Sequence, residues 1–449
     1  MIRYDQYPHR IPSKIDWLGD VPSHWNVIRI KHLTSVKRGA SPRPIDDPKY
    51  FDDEGEFAWV RIADVSASER YLEATTQRLS EIGENLSVKR WPGDLFLSIA
   101  GTVGKPIITK IKCCIHDGFV YFPDFKERNE FLYYVFACGQ PYLGLGKMGT
   151  QLNLNTDTVG SILIGLPPVD EQNAIVKFLD FKTAQIDALI AKQKTLLDKL
   201  AEKRAALISH AVTKGLDPSV PMKDSEVAWL GEIPVHWAPK RLRFCMKTNP
   251  SKGEIKLDDN ELVSFVPMEA VGEFGGLNLD AEKELGDIGG GYTYFADNDV
   301  VVAKITPCFE NGKGAIARGL KNGIAFGTTE LHVMRVCDAL LADYLFHLTM
   351  SHPFRCIGES EMYGAGGQKR VPETFLKDFC IGLPPTNEQH DIVEYINKLN
   401  KKLDSQMQKA TDVISRLVEY RSTLITNAVT GKIDVRGFQI PHYALGIAA

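Results

Sequence analysis

Two stretches of the chain place apolar residues on alternating steps of four and three, the spacing that lines them along one side of an α-helix. In the first, Ile175, Leu179, Ile186, Leu189, Leu196, Leu200 and Leu207 mark the stripe, interrupted by Lys182, Gln193 and Lys203. In the second, Ile392, Ile396, Leu399, Leu403, Ala410, Val413, Leu417, Tyr420 and Leu424 mark it, interrupted by Gln406. The pattern predicts two long amphipathic helices. At 1.5 Å per residue the span from Ile175 to Leu207 would rise about 50 Å, more than the width of a small domain. Neither helix buries such a stripe alone. Packing the two together as an antiparallel coiled coil does so and would fix a spacing, since each buried apolar side chain stabilises by roughly 1.5–3 kcal/mol before entropy is counted. Packing each helix onto its own domain satisfies the same periodicity.

Outside these stretches the pattern changes. Short β-branched or aromatic runs, such as 57–60, 94–99, 300–305 and 332–336, stand between Gly and Pro and predict strands mixed with a few helices. The expected class is α+β, with two similar globular bodies separated by two long helices that form an antiparallel coiled coil.

The chain also repeats. Gly165-Leu166-Pro167-Pro168 returns as Gly382-Leu383-Pro384-Pro385, Glu171-Gln172 as Glu388-Gln389, Ile175-Val176 as Ile392-Val393, and Ala211-Val212-Thr213 as Ala428-Val429-Thr430, all offset by 217. Near the start of each half, Trp17-Leu18-Gly19-Asp20-Val21-Pro22-Ser23-His24-Trp25 returns as Trp229-Leu230-Gly231-Glu232-Ile233-Pro234-Val235-His236-Trp237, offset by 212. Each half thus has an opening motif, a variable body, a Leu-Pro-Pro stop and a long helix. The expected boundaries are 1–165 and 216–382 for the bodies, 166–215 and 383–430 for the helices, and 431–449 for a tail. Gly93-Asp94-Leu95-Phe96 resembles Asn298-Asp299-Val300-Val301, and Gly149-Thr150-Gln151 resembles Gly366-Gly367-Gln368, so one fold is expected twice.

Composition narrows the function. A hydrophobic fraction of 44% and a charged fraction of 24% are those of a folded chain, and the polar residues 1–14 offer no apolar core for a leader. No run of about 18 apolar residues occurs, so a cytoplasmic address without a membrane partner is expected. The eight cysteines form no Cys-x-x-Cys, which fits reduced thiols better than a zinc knuckle or disulfide framework. A phosphate loop is absent, since Gly101-Thr102-Val103-Gly104-Lys105 has the wrong glycine spacing; so are His-Glu-x-x-His, Gly-x-Ser-x-Gly and Asn-Pro-Pro-aromatic motifs. The acidic pairs Asp46-Asp47, Asp52-Asp53 and Asp258-Asp259 read as solvated turns, and His24 and His236 as structural residues. No catalytic residue, metal or cofactor is expected.

The net charge of -4 argues against phosphate binding by total charge, so its distribution matters. From 21 to 45 the chain carries Arg29, Lys31, Lys37, Arg38 and Arg43 without an acid, and the second half carries Lys240, Arg241, Arg243, Lys247 and Lys252 at the matching place. Such a stripe can track a phosphate backbone; a solvated face is the alternative. The glycine-rich stretches 144–151, with Lys147 and Gln151, and 364–370, with Gln368, Lys369 and Arg370, also recur. Gly allows close backbone approach, Gln can pair with adenine, and Lys or Arg can reach guanine or phosphate, although a plain surface loop has the same composition.

Taken in order, the motif Trp17 to Trp25, Trp59-Val60-Arg61-Ile62-Ala63-Asp64, Gly93-Asp94, Gly101-Thr102-x-Gly104-Lys105, Gln151-Leu152-Asn153 and Leu166-Pro167-Pro168 with Glu171-Gln172 resemble the specificity subunits of type I restriction-modification systems. The second body departs from the pattern: Val263-Ser264-Phe265-Val266-Pro267-Met268 replaces the Trp-containing strand, and the stretch from Thr306 to Lys313 replaces the tight glycine loop. The resemblance implies a non-catalytic subunit in which each body reads half of a split site on double-stranded DNA. It implies that the helices set the spacing and dock two methyltransferase subunits, which bind S-adenosylmethionine, and that restriction/translocase subunits join them. The candidate DNA contacts are Lys37, Arg38, Arg43, Arg61, Lys105, Lys147 and Gln151 in the first body, and Lys247, Lys252, Lys304, Lys313, Gln368, Lys369 and Arg370 in the second. A stand-alone nuclease or methyltransferase, and a coiled-coil scaffold with two protein-binding heads, are the rival readings.

Overall fold

The computed structural model describes residues 4–142, 154–365 and 367–441. The chain divides into two compact units, Met1–Gln193 with Asp412–Ala449, and Lys194–Thr411. Each holds one body and a part of both long helices, Val169–Lys214 and Thr386–Val429.

The first body is built on two sheets. One is five-stranded, in the order Lys37–Arg38, Phe119–Tyr121, Leu95–Ser98, Pro106–Thr109, Tyr71–Leu72; the other is four-stranded, in the order Gln77–Leu79, Phe57–Val60, Cys113–Ile115, Val88–Arg90. The second body repeats this: Met246–Thr248, Leu331–Val336, Val300–Ala303, Gly314–Ile316 in one sheet, and Glu282–Glu284, Leu262–Val266, Ile324–Gly327, Thr293–Ala296 in the other. In the second-named sheet of each body the central pair is parallel and its neighbours antiparallel. One fold is therefore used twice. Registers make the correspondence residue-specific: Asp94 accepts from the Trp91 amide at 3.0 Å and Asp299 from the Ala296 amide at 2.8 Å, closing the same turn before the same strand.

Where each body meets the helices, the strand Asn26–Arg29 pairs with Leu163–Leu166, and Ala238–Arg241 with Cys380–Leu383. The helices begin straight after these ladders, because Pro167-Pro168 and Pro384-Pro385 supply no amide to extend them.

In the first unit the start of one helix packs beside the end of the other, Ile175, Leu179 and Ile186 sharing a core with Leu424, Ile425, Ala428 and Val429. In the second unit Ile208, Ala211 and Val212 share a core with Ile392 and Ile396. The helices run antiparallel, and both packing solutions open to the sequence are used, since these same cores include the strands and short helices of the bodies.

The seam differs from the expected one at several positions. Leu189, Leu196, Val413 and Tyr420 are 47%, 43%, 40% and 41% exposed, while their neighbours Ile190, Leu197, Ile414 and Arg421 turn inward and are half-buried. Adjacent helical residues lie about 100° apart. Where two stand side by side the sequence offers either, and the partner helix selects one. Polar pairs sit at the same interface: Arg421 donates to both oxygens of Asp187 at 2.9 and 3.2 Å in the first unit, and Arg204 pairs with Asp404 in the second.

Candidate nucleic-acid interface

The repeated motifs form one latch in each unit. The buried Glu171 carboxylate accepts from Trp25 Nε1 at 2.9 Å, from His24 Nε2 at 2.7 Å and from the Tyr7 hydroxyl. Glu388 accepts from Trp237 Nε1 at 2.9 Å and His236 Nε2 at 2.7 Å. A Cβ on Gly165 or Gly382 would stand 2.9 Å from the Trp25 or Trp237 ring, so only glycine lets the indole lie on the strand. The next residue ties the helix to the body: Gln172 Nε2 donates to the Pro167 carbonyl at 2.9 Å and its Oε1 accepts from the Arg128 amide at 3.2 Å, while Gln389 donates to the Pro384 and Ala339 carbonyls at 3.0 and 2.9 Å and accepts from the Leu341 amide at 2.9 Å. The latch holds each body rigidly on its helix. Its members were visible as a repeat, but their joint role was not.

A second tie follows. Arg70 lies over the rings of Tyr71, Tyr133 and Tyr134 at 4.9, 5.0 and 4.9 Å and pairs with Asp180 of the first helix, whose Oδ1 also accepts from Tyr134 at 2.7 Å. Nothing in local sequence marked Arg70.

The predicted cations fall into different environments. In the first body Lys37 is exposed on an edge strand, and the Arg38 and Arg43 guanidiniums gather at Asp117, Arg43 at 3.2 Å. Burial would raise the Asp117 pKa, but the Ser41 hydroxyl at 3.0 Å and the two guanidiniums outweigh it and hold the carboxyl below its usual range. Arg61 starts the short helix Ile62–Ala67, its amide donating to Asp64 at 2.9 Å and its guanidinium to Thr76. Lys105 closes the other end of that helix, its ammonium donating to the Ser66 and Ser68 carbonyls, and burial lowers its pKa. In the second body Lys313 donates to the Met268 carbonyl at 3.1 Å. Both lysines are engaged with main chain rather than presented to solvent. Lys147 and Gln151 lie outside the described residues.

In the second body Lys247, Gln368 and Lys369 are exposed. Arg370 forms a two-pronged pair with Glu330 at 2.9 and 2.8 Å, which holds that carboxyl below its usual range. The loop bearing these residues is pinned: Thr306 N donates to the Lys369 carbonyl at 3.0 Å and Val371 N to the Lys304 carbonyl at 2.8 Å. Lys252, Lys304 and Arg370 are thereby brought to one cavity. Among the described residues no cluster of three or more potential metal ligands occurs, and no helix is long and apolar enough to cross a membrane.

The fold and these latches define a tandem-duplicated α+β protein with two like bodies on two long antiparallel helices. Residues 22–199 match the family described as type I restriction modification DNA specificity domain. It is 37% identical over 238 residues to the type I restriction enzyme EcoEI specificity subunit of Escherichia coli, covering 52% of this chain and 39% of that one. With the EcoAI specificity subunit of the same organism it is 38% identical over 229 residues, 50% and 38% of the two chains. The matched segments thus span well under half of these relatives. A solved chain from a study of assembly and conformational transition of the type I restriction-modification system shares the fold, with TM-score 0.67 over 92% of this chain and 99% of that one, at 14% identity.

Proposed function

We propose that the chain is the DNA-sequence-specificity subunit of a type I restriction-modification complex, without a catalytic centre or cofactor of its own. Each body, within 1–165 and 216–382, reads one half of a split site. The helical segments 166–215 and 383–430 set the gap and dock two methyltransferase subunits, restriction/translocase subunits joining them; 431–449 is a tail, and the complex works in the cytoplasm. The observation that carries this reading is that two bodies of one topology are latched by the same residues yet carry different polar and aromatic side chains. A fixed frame with variable contents is what two different half-sites require.

The test is co-expression with a partner methyltransferase subunit and mapping of modified adenines across a genome by single-molecule sequencing. A split motif with two defined halves is expected. A well-behaved complex without sequence-specific methylation would favour the scaffold instead.

A further inference from the structure

The second body contains an open cavity of about 520 Å³ with Lys252, Lys304, Arg370, Tyr292, Tyr363 and His332 in its wall. Its size is that of a small-molecule site and excludes a duplex, about 20 Å across. The lining is peculiar to this body. With Asp94 and Asp299 as matched turn residues, Ile99 of the first body corresponds to Lys304; because Leu97 pairs with Val120 and Val302 with His332, Val120 corresponds to His332. Two apolar core positions of the first body have become a cation and a histidine.

His332 is 5% exposed and its Nε2 lies 2.8 Å from the Val371 carbonyl. A carbonyl only accepts, so Nε2 carries the hydrogen. Burial, the largest influence, keeps the ring neutral by lowering its pKa. Nδ1 is then an acceptor without a partner among the described residues, and it is buried behind the wall rather than open to the cavity. Lys304 makes no side-chain hydrogen bond or ion pair among the described residues, whereas the acid in the wall, Glu373, is paired with Lys377 at 2.6 Å. Tyr363 is 66% exposed, an aromatic face available for stacking.

We propose that this cavity receives one unstacked nucleotide of a DNA strand, its phosphate held by Lys252 and Lys304 and its base laid on Tyr363 or Tyr292. The inference rests on the DNA-reading function above and assigns a nucleotide-holding site within it. A planar base meets the tyrosines and a phosphate the ammoniums.

The test uses the complex with its methyltransferase partner. Once the split motif is mapped, duplexes carry 2-aminopurine or pyrrolocytosine at successive positions of the second half-site. One position should brighten severalfold on binding, and Tyr363→Ala, at an exposed residue that folding does not need, should abolish the rise and weaken binding by roughly tenfold. Lys304→Ile, the residue of the first body, should weaken binding and lower the slope of log affinity against log salt by about 0.9, and brightening that Tyr363→Ala leaves unchanged overturns the cavity assignment. A split motif with no brightening position overturns the cavity assignment and leaves the DNA-reading function standing. Absence of any split motif overturns both. Saturable binding of dAMP or dCMP without a brightening position would make the cavity a free-nucleotide site and overturn the strand as its source.

Discussion

Replacing Glu171 by Ala tests the latch. The carboxylate serves the Trp25 indole N–H and the Tyr7 hydroxyl, both buried, and His24, whose side chain is 39% exposed. Burial first, and Glu171 beside it, hold the Tyr7 phenol far above its usual pKa, so it remains a donor at any pH at which the protein is folded. Alanine would strand two buried donors, each costing roughly 1–3 kcal/mol, while His24 turns to water; the expected loss is about 2–6 kcal/mol. Glu388 serves one buried donor, Trp237, and a half-exposed His236. Glu388→Ala should therefore cost only about 1–3 kcal/mol. Urea denaturation followed by tryptophan fluorescence gives the losses, and hydrogen exchange on peptides spanning 22–29 and 163–172 assigns the first to its unit. Equal losses for the two variants, or less than about 1 kcal/mol for Glu171→Ala, would refute the reasoning from buried donors.

Four further outcomes follow from named contacts. His347 is buried in the second body and its pKa is pushed down to about 4 from 6.5, by burial first, against the influence of Asp343 and a hydrogen bond to Asn397. Between those values the unfolded chain holds a proton that the folded one does not, so stability is full above about pH 6.5 and falls by roughly 3 kcal/mol towards pH 4; in urea titrations at several pH values His347→Gln should remove that part of the slope. At the helix seam, Ile186→Ala should cost about 2–5 kcal/mol, whereas Leu189→Ser and Leu196→Ser should change stability by no more than about 0.5 kcal/mol; a large loss at Leu189 would restore the stripe expected from sequence. If the DNA reading holds, Lys37→Ala and Lys247→Ala should each lower the slope of log affinity against log salt by about 0.9, while Lys105→Ala should destabilise the first body and leave that slope unchanged. On the same reading, removing one heptad from both helices shortens each by about 10 Å, so the gap in the methylated motif should contract by about three base pairs or modification should cease, with both halves unaltered; an unchanged gap would sink the ruler.

Periodicity and repetition, which are properties of the chain itself, determined the two long helices, the duplication and the α+β bodies. The recurrence of Trp-Leu-Gly, Leu-Pro-Pro and Glu-Gln marked the residues that fasten the frame. Their partnership was hidden, because Glu171 and Trp25 are 146 positions apart and no local pattern links a carboxylate to one indole among six tryptophans. Tertiary structure also decided which member of each apolar doublet faces the partner helix, since both satisfy the same period within one residue. It separated the cations by the carbonyls and carboxylates that folding brings to them: Lys105 and Lys313 became struts, Arg370 was paired with Glu330, and Lys37 and Lys247 were left exposed. The cavity of the second body arose in the same way. A lysine and a histidine on neighbouring strands have no common signature in sequence, and only the register of Val302 against His332 brings Lys304, two residues further on, to the same wall.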